Sequence, residues 1–286
     1  MSAYLVKIAL VVAMTHGFRA LSRTIGPRWG GLALGLPCSS AIALVGGGCE
    51  RGVDYSVAMA EASLIGLVGA VAVPLAYAGA IGRGWRTPWP TALAVGAYLA
   101  AATVAGRLCT PGGGASLGVS AFAVLAATWL ATRIAVTHAS ERRGSDASTP
   151  RVIALRTMVP VACLVASTAM GDVSGPGGAG LMSTFPGVTL TVLSLTHLEA
   201  GPAEAIRMAR ALPAGNLGMV AFLAVFRFAC PEIGPAWAAA IGYLAALAML
   251  GLVARIGDLG ARGVGRLAPW PRVGRKLLPA AESLAA

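Results

Sequence analysis

The stretch GPRWGGLALGLPCSSAI, residues 26–42, decides the fold, because the pattern returns as GPGGAGLMSTFPGVTLT at residues 175–191. Both copies begin with Gly-Pro and carry a second proline eleven residues after the first glycine, at Pro37 and Pro186. The offset of 149 residues (175 − 26) holds without a gap for about fifty residues and includes a Glu-x-Gly step in each copy. The sequence therefore predicts an internal duplication.

The composition predicts a membrane protein. Hydrophobic residues make up 57% of the chain, charged residues make up 12%, and the mean hydropathy is +0.76. Soluble domains carry about 25% charged residues. Apolar runs of roughly 18 or more residues recur along the chain, which is the pattern of transmembrane helices. We therefore predict an all-α polytopic membrane protein.

The apolar runs predict about nine spans, of which the eighth is short. They lie near 4–21, 30–48, 56–81, 90–108, 116–136, 152–170, 179–198, 213–228 and 235–253. The duplication matches spans one to four with spans six to nine and leaves span five as a connector helix. Because the second copy then starts on the other side of the membrane, the two four-helix repeats are predicted to be inverted.

The charges divide these segments between two sides of the membrane. We assign residues 1–110 to the first membrane repeat, 111–150 to the connector helix and a cytoplasmic linker, 151–256 to the second membrane repeat and 257–286 to a basic cytoplasmic tail. Most arginines of this chain, whose net charge is +11, fall on one side. The positive-inside rule makes that side cytoplasmic, with the N-terminus outside and the C-terminus inside.

The same arginines are predicted to bind anionic lipid headgroups at the cytoplasmic surface. The tail is either an amphipathic segment lying on that surface or a solvated extension. No basic patch interleaved with aromatic residues indicates nucleic acid. The bias towards Ala, Gly, Val and Arg favours a bacterial inner membrane.

The second proline of each copy interrupts a predicted span. Proline has no N–H, so the carbonyl four residues earlier, Ala33 or Met182, is predicted to lose its helical partner. In hydrocarbon such a group needs protein, water or a solute. Breaks at matching positions of two halves are typical of transporter sites, although packing alone also uses such prolines. The candidate substrate-binding residues are Pro37, Ser39, Ser40, Ser183, Thr184, Pro186, Thr189 and Glu61.

Three carboxylates near the predicted span ends are further candidates. Glu50 and Glu199 occupy the two Glu-x-Gly steps. They are either gating residues at opposite faces or solvated residues that end a helix before a glycine. Glu61 lies near the start of the third span, where a partly buried acid is expensive and often functional, and the second copy has Arg210 in its place.

Signatures of enzymes and cofactors are missing from the sequence. It contains no nucleophile elbow, P-loop, dinucleotide fingerprint or metal-ligand spacing. We therefore expect no cofactor, no metal and no catalytic residue. Cys49 and Cys109 fall on the outer, oxidising side of the predicted topology, so a disulfide between them is left open.

The pattern GG-L-x-x-G-x-P-x-x-S at residues 30–40, followed by Glu-x-Gly at residues 50–52, resembles uncharacterised bacterial inner-membrane proteins built of four-helix units. The resemblance covers each half separately. It supports the repeat and implies no activity, substrate or functional residue.

Taken together, these patterns favour a secondary transporter for a small neutral, zwitterionic or lipid-like solute. The two inverted repeats would give alternating access by rocking against each other. A structural or accessory subunit of a larger membrane complex, with a partner subunit on its surface, is the alternative. A lipid-handling membrane enzyme is a third hypothesis.

Overall fold

A computed structural model describes three parts of the chain, and all regular structure in them is α-helix. These parts are residues 32–109, 115–133 and 172–263, with four isolated positions at Ala9, Ala13, Gly17 and Ala169; the side chains of Cys38 and 257–263 are outside the description. The first and sixth predicted spans, the linker 138–150 and the tail beyond 263 lie outside the described residues.

Helices follow one another throughout these parts. They are α1 (Cys38–Arg51), preceded by a helical turn at 32–34, α2 (Val53–Gly82), α3 (Trp89–Leu108), α4 (Ala115–Arg133), α5 (172–183), α6 (Gly187–Glu199), α7 (202–233) and α8 (235–263). The last two form one helical stretch, Pro202–Gly263, that is divided at Gly234 with φ 79° and ψ 164°. Glycine suits this break because it lacks the Cβ that makes such a φ costly.

Within the described residues, six helical stretches are long and apolar enough to cross a membrane. The longest, Pro202–Ile256, has 55 residues, whereas one crossing needs about 20. Gly234 divides this stretch between α7 and α8. The all-helical class and the long apolar helices agree with the sequence prediction, and the described residues are compatible with a membrane protein.

The outer surface of the bundle is apolar, as hydrocarbon requires. The most exposed large apolar side chains on α3, α4 and α8 are Trp89, Leu99, Val104, Leu108, Phe122, Leu125, Trp129, Trp237, Leu244, Leu247, Leu252 and Ile256. In water a continuous patch of this kind would mark an interface. Its spread over three helices fits contact with lipid.

The helix that contains the predicted eighth span, residues 213–228, is longer than that span, since α7 begins at Pro202. The charged side chains in this first part of α7 have partners in the structure. Glu204 forms an ion pair with Arg207 at 2.5 Å. The Arg210 guanidinium donates to two carbonyls in the last turn of α4, at 3.1 and 3.3 Å. These pairs allow a longer helix.

The two long helices α2 and α7 run in opposite directions. A Cβ added to Gly48, near the end of α1, would lie 2.7 Å from Pro235 and 3.2 Å from Ser56. The start of α2 and the end of α7 therefore lie together. At the other end of the bundle, Thr91 in the first turn of α3 meets Ser194 of α6 at 3.0 Å, which brings the start of α7 beside the end of α2.

Each long helix forms an antiparallel hairpin with the helix that follows it. A Cβ on Gly69 of α2 would approach Ala102 of α3 to 3.1 Å. A Cβ on Gly218 of α7 would lie 3.7 Å from the Cβ of Ala246 in α8. Gly69 and Gly218 are 149 residues apart (218 − 69), so the two hairpins pack through corresponding glycines.

The core lies where these hairpins meet. Its largest fully buried side chains are Tyr77, Phe222, Phe226, Leu44, Leu64, Leu67, Leu193, Ile206, Leu212 and Leu223. They come from α1, α2, α6 and α7, so the apolar core joins the two halves of the chain.

Candidate functional site

Each of the two repeated prolines begins a helix. Pro37 is the N-cap of α1, with φ −78° and ψ 45°. Pro186 is the N-cap of α6, with φ −82° and ψ 47°. A missing N–H removes no intrahelical hydrogen bond at a helix start. The structure therefore places a break at each proline, with nearly the same backbone geometry.

The carbonyls of Ala33 and Met182, predicted to be unpaired, are occupied. The Leu36 N–H donates to the Ala33 carbonyl at 3.0 Å, and the Phe185 N–H donates to the Met182 carbonyl at 3.1 Å. Both bonds join residues three apart, as in a 3₁₀ turn. The prediction of spare carbonyls at these two residues is wrong, because the chain tightens just before each proline.

Backbone geometry also agrees at the far ends of α1 and α6. Gly52 and Gly201, which are 149 residues apart (201 − 52), have φ values of 95° and 93°. Each of their carbonyls accepts the N–H of the residue four positions later at 3.3 Å. Each proline carbonyl likewise accepts the N–H four positions later, at 2.8 Å in both halves. The local structure therefore repeats at the same offset as the sequence.

The break in the second half lies against α2 and is held by hydroxyl groups. The Ser183 and Ser63 hydroxyls are 2.9 Å apart, and the Ser40 hydroxyl donates to the Ser183 carbonyl at 2.9 Å. The Tyr98 hydroxyl lies 3.4 Å from that of Thr184. We call these five residues the hydroxyl crossing. It brings together Ser40, Ser183 and Thr184, three of the candidate substrate-binding residues, and adds two residues that sequence reasoning missed.

The hydroxyl crossing requires glycines because the helices come very close. A Cβ on Gly66 of α2 would lie 2.1 Å from the Thr184 Oγ1 atom, and a Cβ on Gly180 of α5 would lie 2.3 Å from the Met59 carbonyl oxygen. Gly66 is thirteen residues beyond the start of α2 at Val53, or about 20 Å along the helix. The crossing therefore lies near the middle of this long helix.

The break in the first half packs on α7 in the corresponding way. A Cβ on Gly35 would lie 2.2 Å from the Gly215 carbonyl carbon, and a Cβ on Gly215 would lie 2.4 Å from the Leu32 carbonyl oxygen. We call Leu32, Gly35, Gly215 and the adjacent Asn216 the glycine crossing. This contact involves backbone against backbone.

The two crossings are related by exchange of the halves. Gly35 corresponds to Thr184 at the offset of 149, and Gly215 corresponds to Gly66. Gly35 contacts Gly215, and Thr184 contacts Gly66. Each of these two contacts therefore has a counterpart in the other half of the chain.

Glu61 forms an ion pair between the long helices and is separate from the hydroxyl crossing. Its carboxylate lies 2.8 Å from the Arg227 guanidinium of α7. Glu61 is 9% exposed. The Arg227 guanidinium also stacks on the Phe228 ring, 5.5 Å from its centroid. The pair neutralises a carboxylate that would be costly in an apolar bundle.

The remaining predicted site residues lie at helix ends. Ser39 and Thr189 are half-buried in the first turns of α1 and α6. Glu50 is exposed near the end of α1, and Glu199 is half-buried at the end of α6. Both glutamates interact with other groups. Their gating role stays a prediction.

A second polar cluster lies closer to the end where α6 and α7 meet. The Thr91 and Ser194 hydroxyls are 3.0 Å apart, and the Tyr77 hydroxyl lies 3.4 Å from the His197 Nδ1 atom. The Tyr77 and His197 rings meet edge to face at 6.2 Å. This cluster joins α2, α3 and α6, and single polar residues in apolar spans gave no spacing signal for it.

The described cysteines and acidic residues do not form a redox or metal site. Cys49 is exposed, Cys109 is buried and both are free thiols, so the disulfide left open by the sequence is not formed. Over the described ranges, no group of three His, Cys, Asp or Glu side chains could hold a metal ion.

Comparison of the chain with protein-family models, with curated proteins and with solved structures finds no match.

Proposed function

We propose that this protein is a secondary transporter of the inner membrane, built of two inverted four-helix repeats and a connector helix. The reciprocal crossings carry the proposal. Each half contributes a helix broken at a proline, and this break lies on the long helix of the other half. Because α2 and α7 run in opposite directions, corresponding elements enter the membrane from opposite faces. Nine spans follow if the two predicted spans outside the described residues are added, one at residues 4–21 before α1 and one at residues 152–170 between α4 and α5.

The crossings support alternating access because they join the parts that would move. Rocking one repeat against the other shifts α5 on α2 and the segment before α1 on α7. Both contacts lie near the middle of the long helices. A solute held there would be exposed to one side at a time, and the predicted substrate-binding residues Ser40, Ser183 and Thr184 meet at this level.

The chemistry of the crossings favours a small neutral or zwitterionic solute. The hydroxyl crossing offers serine, threonine and tyrosine hydroxyls, which donate and accept hydrogen bonds without bearing charge. The nearest buried charge, Glu61, is paired with Arg227. A lipid-like solute whose headgroup forms hydrogen bonds without net charge meets the same requirement, so the proposal includes it.

The two ends of the bundle support an orientation with the C-terminus in the cytoplasm. Among the side chains that the structure describes, one end holds those of six arginines and two glutamates: Arg83, Arg86, Arg133, Arg207, Arg210, Arg255, Glu199 and Glu204. The opposite end holds three arginines and five carboxylates: Arg51, Arg107, Arg227, Glu50, Asp54, Glu61, Asp172 and Glu232. The first is the cytoplasmic end by the positive-inside rule, and its arginines are placed to bind anionic headgroups.

Labelling of one native thiol tests this orientation. Cys49 is exposed at the opposite end. We expect a membrane-impermeant maleimide to label it in intact cells, and Cys49→Ser to remove that label. Labelling only in inside-out vesicles would show that the protein has the opposite orientation, with the same fold.

Solute accumulation tests the function. Proteoliposomes are incubated in a cell extract, washed and analysed by mass spectrometry, with protein-free liposomes as the control. We expect at least one neutral or zwitterionic solute to accumulate only with the protein, and the Pro37→Ala/Pro186→Ala variant to accumulate less of it. Full accumulation by the folded double variant would remove the breaks from the mechanism.

Failure to accumulate any solute would favour the accessory-subunit alternative. In that case, purification from the membrane in mild detergent should retain a second chain on the exposed apolar face of α3, α4 or α8. The arginine-rich end would then serve to bind the partner or lipid, and the repeat would serve as a stable bundle.

A further inference from the structure

The end of α4 brings two guanidinium groups together. Arg210 of α7 donates from Nε to the Ala131 carbonyl at 3.1 Å, and from a terminal nitrogen to the Thr132 carbonyl at 3.3 Å. Arg133 is the next residue along α4 and the last one of that helix, Ala115–Arg133. Two positive charges therefore lie at one helix end, and backbone carbonyls fix the position of the first.

Carboxylates do not neutralise either of these two arginines within 32–109, 115–133 and 172–256. Arg207, one turn earlier on α7, differs from them, since it forms an ion pair with Glu204. The two carbonyl bonds occupy two of the five N–H groups of the Arg210 guanidinium. Because like charges repel each other, Arg133 and Arg210 together favour an anion at this end of α4.

The Arg133 guanidinium has a defined position over an aromatic ring. It lies above the Trp129 ring, 4.8 Å from the centroid. Stacking of this kind holds the planar group in place, and its fork of N–H groups suits phosphate oxygens. Trp129 is itself exposed, and tryptophan is enriched where a membrane helix meets the headgroups. Arg133 is therefore placed for a phosphate at headgroup level.

An exposed apolar stripe leads from this end of α4 towards the middle of the membrane. Phe122, Leu125 and Trp129, which we call the α4 stripe, are all more than half exposed. Their spacing places them on one helix face with Arg133. The opposite face packs on α2, where the Ser120 hydroxyl donates to a backbone carbonyl at 2.5 Å. The α4 stripe is thus open to lipid.

The length of the α4 stripe matches one leaflet of a bilayer. Phe122 and Arg133 are eleven residues apart (133 − 122), which is about 16 Å along a helix. The hydrocarbon core of a bilayer is about 30 Å thick, so one leaflet contributes about 15 Å. An acyl chain along the stripe therefore brings its headgroup to the level of the two arginines.

We propose that one anionic phospholipid binds at this end of α4, with its phosphate held by Arg133 and Arg210 and an acyl chain along the α4 stripe. The proposal rests on the proposed binding of anionic headgroups by the arginine-rich end, and deepens it by naming the site. Charge complementarity selects the lipid, since the two guanidiniums lack carboxylate partners in the described ranges.

Native mass spectrometry of the protein purified in mild detergent tests the site. The probes are phosphatidylglycerol, which is anionic, and phosphatidylcholine with the same acyl chains, which is zwitterionic. We expect Arg133→Gln to reduce the preference for phosphatidylglycerol about fivefold and Arg133→Gln/Arg210→Gln to reduce it about 25-fold, because each arginine near anionic lipid contributes about a factor of five. Arg133 is exposed, so the single variant should fold.

The matched control is Arg86→Gln/Arg255→Gln, which removes two exposed arginines of the same end and leaves α4 unchanged. We expect this control to keep most of the preference. Equal losses in the control and in the α4 double variant, or an unchanged preference in the α4 double variant, would overturn the proposal. A second protein chain retained on α4 in place of lipid would overturn it as well.

Soluble phosphates test whether the acyl chain contributes. Inorganic phosphate and glycerol phosphate carry the anionic group without an acyl chain. We expect neither of them to displace phosphatidylglycerol from the wild-type protein. Displacement by either would show that the two arginines bind a free anion, and would contradict the part played by the α4 stripe.

These results separate the inference from the proposed transport. A protein that binds phosphatidylglycerol through Arg133 and Arg210 but accumulates no solute in vesicles retains the lipid site and loses the transport function. A protein that accumulates solute while the α4 double variant keeps its lipid preference retains transport and loses the site.

Discussion

The hydroxyl crossing and the glycine crossing share a backbone arrangement and differ in their side chains. Thr184 and Ser63 of the hydroxyl crossing correspond to Gly35 and Leu212 in the other half. One contact is held by hydrogen bonds, and the other by the close approach of two glycines. The helices therefore approach each other closely at both crossings, but side-chain hydrogen bonds join them at only one. We expect the glycine crossing to open more readily.

The charges beside the crossings differ in the same way. Five residues before the central glycine, α2 carries Glu61 and α7 carries Arg210. Glu61 joins α2 to α7 through Arg227, whereas Arg210 donates hydrogen bonds to the end of α4. Corresponding positions thus bind different neighbours. The first half is joined to α7 by an ion pair, whereas Arg210 of the second half makes hydrogen bonds to α4.

The largest effect is expected from Gly35→Ala, which acts on the glycine crossing. The new Cβ would lie 2.2 Å from a backbone carbon of Gly215, and neither backbone can move without disturbing its helix. We expect no folded, monodisperse protein on size-exclusion chromatography. Gly96→Ala is the control, because nothing lies within 4 Å of its Cβ. A Gly35→Ala protein as stable as this control would contradict the described contact.

Glu61→Ala is expected to have the next largest effect. It leaves the half-buried Arg227 guanidinium without its carboxylate. Breaking a fully buried pair typically costs about 3–5 kcal/mol, and the partial exposure of Arg227 places the expected loss at the lower end of that range. Thermal unfolding in detergent measures the loss. The matched control is Glu61→Ala/Arg227→Ala, which removes both charges and should recover most of the stability. A double variant no more stable than the single one would show that the pair does not join α2 to α7.

Gly66→Ala sharpens the comparison, because the atom nearest to its new Cβ belongs to a side chain, while the Leu181 backbone lies farther away, at 3.3 Å. The Thr184 Oγ1 atom, 2.1 Å from the new Cβ, can rotate away at the cost of its hydrogen bond to the Leu181 carbonyl. We expect a loss of about 1–2 kcal/mol. Adding Thr184→Ala should restore part of it, and an unfolded Gly66→Ala protein would show that the two crossings are equally rigid.

The smallest effect is expected from Tyr98→Phe. The change removes the hydroxyl that donates to the Leu181 carbonyl and leaves that carbonyl short of one partner. We expect a loss of about 1 kcal/mol by thermal unfolding. Tyr55→Phe is the control, since the Tyr55 hydroxyl accepts an exposed hydrogen bond from Arg51 and should cost less. Equal losses of stability in the two variants would show that the Tyr98 hydrogen bond at the hydroxyl crossing contributes no more to stability than an exposed one.

The sequence predicted the helical class and the places where helices break, because these depend on local residues. Pro37 and Pro186 each begin a helix, where a missing N–H costs no hydrogen bond, although Pro74 and Pro213 lie inside α2 and α7. The apolar runs indicate where the long helices lie. The closure of the Ala33 carbonyl by a tight turn was missed, since it depends on how the chain enters the break. Ser63 and Tyr98 were missed because contacts between halves depend on packing, which single residues in apolar spans do not reveal.

The most direct test of the central claim is a reversible cross-link at the hydroxyl crossing. The Ser63 and Ser183 hydroxyls are 2.9 Å apart, so cysteines in their places can form a disulfide with little movement. In proteoliposomes, we expect oxidised Ser63→Cys/Ser183→Cys protein to accumulate less solute than the same protein after reduction, while accumulation by each single variant is the same in both conditions. Full accumulation by the oxidised double variant, with complete cross-linking verified by mass spectrometry, would contradict movement of the two halves at their crossings.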